Sequence, residues 1–206
     1  MEYTLSKQQA QKAAAWLKNN FEEVIKAGIA GTPWTVDLVC AIACQETAYK
    51  WLLWIDKYPA DVVLQRCVFD ASGDLPGTGR SAFPKNRADF EDKYGKDLAA
   101  MLVNEGNKQR AMPQVDAPGG YKPAGFLYKG YGIFQNDLQN IVTDRAFFQE
   151  KKWYNMTDCL AHLVQELNGK ARKQSTLEKI VQAYNGSGPR AEAYAANVMQ
   201  FREWVA

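Results

Sequence analysis

The chain has 206 residues, 47% hydrophobic and 23% charged, with a net charge of +2 and a pI near 8.2. That length supports one substantial core without demanding two domains. No apolar run reaches the length of a membrane span, and so weak a basic balance fits an anionic polymer as partner without arguing for nucleic acid.

The opening MEYTLSKQQAQK lacks the apolar core of a secretion signal, so the chain is expected to be made in the cytoplasm or to have lost a leader. Ser6–Gly28 reads as an amphipathic helix, with Ala10, Ala13, Leu17, Phe21, Val24 and Ile25 on its apolar stripe. Thr32 is then placed to cap the next helix, with Pro33 at its first position. That helix, 36–51, carries Glu46 on the face of Val39, Ile42 and Ala43, with Tyr49 one turn on. A carboxylate in an apolar stripe is costly to ionise, and an acid that keeps its proton near neutrality suits cleavage of a glycosidic bond. The plainer alternative leaves Glu46 at the stripe's edge, solvated or paired with Lys50. The bulky run Trp51, Leu52, Leu53 and Trp54 reads as core.

Residues 61–69 suit another short helix, and the Gly- and Pro-rich stretch from Asp70 to Arg87 a loop. Helical period returns over Phe90–Val103. A second long loop is expected over 104–125, leading into FLYKGYGIFQ, where glycines and aromatics allow either a small β-hairpin or an irregular wall. Residues 137–148 and 157–167 read as helices, the second stopped by Gly169. Ser175 with Glu178 forms a capping box before Leu177, Ile180, Val181 and Tyr184. NGSGP breaks that helix, and a last one starts near Arg190. The whole reads as one mainly α domain over 1–206, with two long loops.

Cys40, Cys44, Cys67 and Cys159 are too scattered for a disulfide framework. Cys40 and Cys44 suit small apolar core positions, with a zinc site built from Cys40, Cys44, Cys159 and His162 as the sharper alternative. No cofactor or metal is otherwise expected.

Three local signals follow in order: Glu46-Thr47, Gly132-Ile133-Phe134-Gln135, and Ala183-Tyr184-Asn185-Gly186, the last trailed by Tyr194, Ala195 and Val198. This pattern resembles the lysozyme-like superfamily of goose-type lysozymes and soluble lytic transglycosylases, with Thr47 in place of the usual Ser and Phe134 in place of Met. The resemblance implies a lysozyme-like helical domain with a long insertion at about 56–129. It also implies an enzyme that cleaves the β-1,4 bond between N-acetylmuramic acid and N-acetylglucosamine in peptidoglycan, as a muramidase or lytic transglycosylase. Glu46 would be the general acid and base. Tyr131, Tyr184 and Tyr194 would offer apolar faces to sugars, Gln135 and Asn185 hydrogen bonds, and Thr47 and Gly132 further substrate contacts. Asp56, Asp61, Asp70, Asp74 and Asp137 are candidates for a second carboxylate. Without one, the substrate's own N-acetyl group would stabilise the transition state.

The alternatives are a non-catalytic glycan-binding or structural module on the same fold, and a chitin- or chitosan-cleaving relative. An enzyme made without a signal peptide would reach the cell wall by release or injection: phage lysis, a phage tail, or an effector. An injected toxin would have an immunity or delivery protein as partner.

Overall fold

The computed structural model describes residues 4–206, which are predominantly helical with one small three-stranded sheet. The chain forms two compact units, the first from residues up to Leu52 together with Leu160–Ala206, the second from Leu53–Cys159. The second unit therefore holds the GYGIFQ segment as well as residues 56–129. Among the described residues no helix is long and apolar enough to cross a membrane.

In the first unit, α1 spans Lys7–Ile29 and starts at a capping box, in which Ser6 accepts from the Gln9 N–H while the Gln9 side chain accepts from the Ser6 N–H. Its buried face carries Ala10, Ala13, Ala14, Leu17, Ile25 and Ile29. Phe21 and Val24, placed on the stripe by periodicity, are only half-buried. Gly28 lies so close to Leu160 that a Cβ would stand 2.4 Å from its Cδ2.

The next helix, α2 (Val36–Ala43), is capped by Thr35 and not by Thr32. Thr32 donates its hydroxyl to the Ile29 carbonyl instead. The chain stays extended long enough to bury Trp34, whose indole N–H donates to Asn168. The helix expected over 36–51 is then interrupted, because a π-helical turn (Cys44–Ala48) separates α2 from the short α3 (Tyr49–Trp51). Trp51 is buried, as its bulk suggests.

The unit is completed by α8 (Met156–Ala171) from Leu160 onward, α9 (Leu177–Asn185) and α10 (Pro189–Val205). Helix α10 packs on α1, α2, α9 and the π-turn. Two expected boundaries move. Gly169 lies within α8 with open space beside it, so nothing there ends the helix. The cap of α9 is Thr176, accepting from the Lys179 N–H, one residue after Ser175.

In the second unit, α4 (Ala60–Gln65) ends early and Val68–Phe69 form β1. Strands β2 (Gly130–Tyr131) and β3 (Asn136–Asp137) make an antiparallel hairpin, and β1 pairs antiparallel with β2 through Val68 opposite Tyr131. GYGIFQ is thus a hairpin and its turn. The helical stretch after the first loop is two helices, α5 (Arg87–Tyr94) and α6 (Lys96–Arg110), separated at Gly95 with φ 88°. Helix α6 runs well past Val103, so the second loop starts only after Arg110. Its extra turn is anchored by Glu105, which is fully buried and bonded to Lys108, Lys151 and Tyr154. Two ion pairs tie the first long loop to the sheet: Arg80 clasps Asp137 at 2.6 and 2.8 Å, and buried Lys129 reaches Asp74. The remaining elements are a 3-10 turn at Leu138–Val142, α7 (Arg145–Gln149) and a 3-10 turn at Lys152–Tyr154.

Candidate active site

Glu46 sits in the middle of the π-turn. Single π-turns widen a helix by one residue and recur at functional sites. The carboxyl is deep enough among protein atoms that burial pushes its pKa from 4.5 up to about 7, against the opposing pull of a hydrogen bond from Tyr194. That bond is short, with the Tyr194 hydroxyl donating to Glu46 Oε1 at 2.6 Å. Glu46 as a residue is half-buried, while its carboxyl is held among protein atoms. Among the described residues it has no ion-pair partner, and the pairing with Lys50 allowed by sequence spacing is not made.

Tyr194 comes from α10 and is 7% exposed. Burial first, and the neighbouring Glu46 second, hold its hydroxyl well above the ordinary tyrosine pKa. It is therefore a permanent donor to the carboxyl and offers little face to a sugar. Sequence periodicity carries the clue, because Tyr194 shares its stripe with the buried Ala191, Ala195 and Val198. Tyr184 of α9 lies beside it, ring centroids 6.3 Å apart, and keeps a partly open surface. Asn185 is the exposed last residue of α9, and Gly186, at φ 118°, takes the backbone turn that follows.

Thr47 is fully buried. Its oxygen accepts the indole N–H of Trp51 at 2.8 Å, which makes it a brace for the π-turn and removes it from substrate contact.

The other expected site residues belong to the second unit. Tyr131 has no exposed surface. It meets Phe148 and Trp153 edge to face, at 5.4 and 4.8 Å between centroids, and serves as core where a sugar-stacking face was expected. Gly132 is buried at φ 81°, and a Cβ there would approach Cys159 Sγ to 2.8 Å. Gln135, at φ 55°, donates both its backbone N–H and its side-chain Nε2 to the Gly132 carbonyl. The polar residue that looked free of structural duty closes the hairpin turn.

Of the second-carboxylate candidates, Asp137 is clasped by Arg80 and Asp74 by Lys129 and the Arg87 N–H. Asp70 is exposed in a left-handed conformation, φ 62°, with one oxygen 3.5 Å from Arg80. Asp61 lies in the first turn of α4. Among the described residues no group of three or more His, Cys, Asp or Glu side chains is placed to hold a metal ion, so the zinc alternative has no ligand set. Burial raises the Cys40 thiol to about 12 and raises Cys44 as well, as suits core cysteines.

These features define a mainly α protein whose first unit holds a half-buried glutamic acid whose pKa burial raises toward neutrality. Neither family models nor curated proteins nor solved structures yield a match to the chain.

Proposed function

We propose that the chain is a lysozyme-like, peptidoglycan-degrading enzyme that cleaves the β-1,4 bond between N-acetylmuramic acid and N-acetylglucosamine, with Glu46 as general acid and base. The observation that carries this reading is the half-buried Glu46, its pKa raised to about 7 and one oxygen held by Tyr194. A carboxyl in that state is protonated in a large fraction of molecules at neutral pH, which general-acid departure of a sugar requires. The ordered resemblance of Glu46-Thr47, Gly132–Gln135 and Ala183–Gly186 to goose-type lysozymes and lytic transglycosylases supports the same assignment.

In the reaction Glu46 gives its proton to the glycosidic oxygen as the C1–O bond breaks and the bonding pair leaves with that oxygen. The carboxylate then accepts a proton from the group that attacks C1, either water or the sugar's own 6-hydroxyl. The Tyr194 hydrogen bond keeps Glu46 Oε1 fixed and stabilises the carboxylate between the two steps. The sugar's N-acetyl group supplies the internal stabilisation of the developing positive charge. Tyr184, whose ring lies beside Tyr194, and the exposed Asn185 would contribute sugar contacts. The enzyme acts on the cell wall after release or injection, and an injected form has an immunity or delivery protein as partner.

The test is product analysis. Purified peptidoglycan treated with the protein should release soluble muropeptides, and Glu46→Gln should lower the rate by at least about a hundredfold. Reducing ends identify a hydrolase and 1,6-anhydro ends a transglycosylase. Equal release by Glu46→Gln, or none by the parent protein, would overturn the assignment.

A further inference from the structure

Asparagine followed by glycine occurs twice in the chain, at Asn168-Gly169 and at Asn185-Gly186. In such a pair the glycine nitrogen can attack the asparagine side chain, because no Cβ shields it. The fold holds the two pairs differently. Asn168 lies inside α8, and its Oδ1 accepts the indole N–H of the buried Trp34 at 2.9 Å. Asn185 is the exposed last residue of α9, and among the described residues its side chain makes no hydrogen bond. Gly186, Ser187 and Gly188 after it are exposed as well, and a Cβ on either glycine would meet no atom within 4 Å. One bond restrains the attacking nitrogen, because the Gly186 N–H donates to the Gln182 carbonyl at 3.0 Å. It is the closing bond of α9, and helix ends fray before their interiors open.

We propose that Asn185 is a site of spontaneous deamidation and that the fold exempts Asn168 from the same reaction. When the Gly186–Gln182 bond opens, a base removes the Gly186 amide proton and the nitrogen attacks Asn185 Cγ. A new C–N bond forms, the bond to the side-chain nitrogen breaks, and that nitrogen takes up a proton and leaves as ammonia. Water then opens the cyclic succinimide at either carbonyl, giving aspartate or isoaspartate. Water is consumed and ammonia released, and no oxidant or cofactor enters. At Asn168 the bond to Trp34 fixes the side chain that would have to turn toward the Gly169 nitrogen. The amide at 185, both donor and acceptor, becomes an acceptor-only carboxylate. That charge falls at the C-terminal end of α9, where the helix dipole disfavours an anion. Isoaspartate also routes the backbone through the side-chain carbon, lengthening the chain directly after Tyr184.

The test ages the intact protein in mildly alkaline buffer and maps its peptides by a separation that resolves asparagine, aspartate and isoaspartate. Isoaspartate should accumulate at position 185, and faster as pH rises, because the attacking nitrogen must lose its proton. The rate at Asn185 should exceed that at Asn168 by at least about tenfold, since a fraying helix end opens far more often than a packed side chain lets go. In denaturant the two sites should react at rates within about threefold of each other, because the fold no longer distinguishes them. Trp34→Phe keeps a ring in the core but removes the indole N–H, so it should raise the rate at Asn168 and leave Asn185 unchanged. Equal rates at the two sites in the folded protein would overturn the proposal. So would a folded protein in which Asn185 stays intact while both sites react in denaturant. A folded Trp34→Phe protein whose Asn168 is no more reactive than the parent's would overturn the exemption.

Discussion

A carboxyl has two demands here that pull in opposite directions. On the proposed reading burial must raise the Glu46 pKa, yet a bare buried carboxylate would be too unstable to return as a base. The Tyr194 hydroxyl moderates the shift, since a donor to the charged form lowers the pKa that burial has raised. The sign of the pH dependence follows. The acid-dependent rate should be full below about 7 and fall as pH rises through it. Tyr194→Phe removes the moderating bond, so the alkaline limb of the kcat profile should move upward, by up to roughly one unit, while kcat itself falls. A limb that stays in place in the Phe variant would show that Glu46 is not the group being titrated. The raised pKa also costs stability: Glu46 favours the folded state most below its unfolded pKa, and that contribution declines as pH climbs toward about 7.

Elements differ in how plainly they can be read from the residues that form them. Helix α1 is legible from Ser6, Gln9 and its apolar spacing, because a cap and a stripe are local signals. The π-turn is not, since one residue absorbed into a helix leaves the composition and the flanking periodicity untouched. Glu105 and Lys129 look like surface charges in sequence, and their burial depends on partners far along the chain, Lys151 and Asp74. Tyr131 and Gln135 are ambiguous for the opposite reason, because an aromatic and an amide among glycines suit a ligand wall as well as the tight hairpin in which they lie. The hairpin's own demand is testable at Gly132. Alanine there must adopt φ 81° and push against Cys159 Sγ at 2.8 Å and Trp153 Cβ at 3.3 Å. Gly132→Ala should cost about 2–4 kcal/mol in a denaturant titration, strain and overpacking together. A loss below half a kcal/mol would mean the turn relaxes freely.

For the whole molecule, acid sensitivity should come chiefly from Glu105. Burial alone would raise its pKa, but the bonds from Lys108, Tyr154 and Lys151 outweigh that and hold it below the usual carboxylate range. Its stabilising contribution is present above the unfolded pKa, near ~4.3, and is lost as pH falls through the lower folded value. Glu105→Ala should destabilise the protein by about 2–4 kcal/mol at pH 7, less than a fully enclosed pair because both lysines can regain water. Thermal melts from pH 6 to 3 should show the parent losing stability more steeply than Glu105→Gln. Parallel curves would assign acid unfolding elsewhere.

The two halves of the Glu46–Tyr194 bond lie 148 positions apart. At a translation rate of about 5–20 residues per second, Glu46 leaves the ribosome's active centre roughly 7–30 s before Tyr194 is added. Throughout that interval the nascent chain has its acid without the group that holds it. Any chemistry that uses the pair therefore waits until α10 has been made, so the last stretch of synthesis acts as a timer on the assembled site.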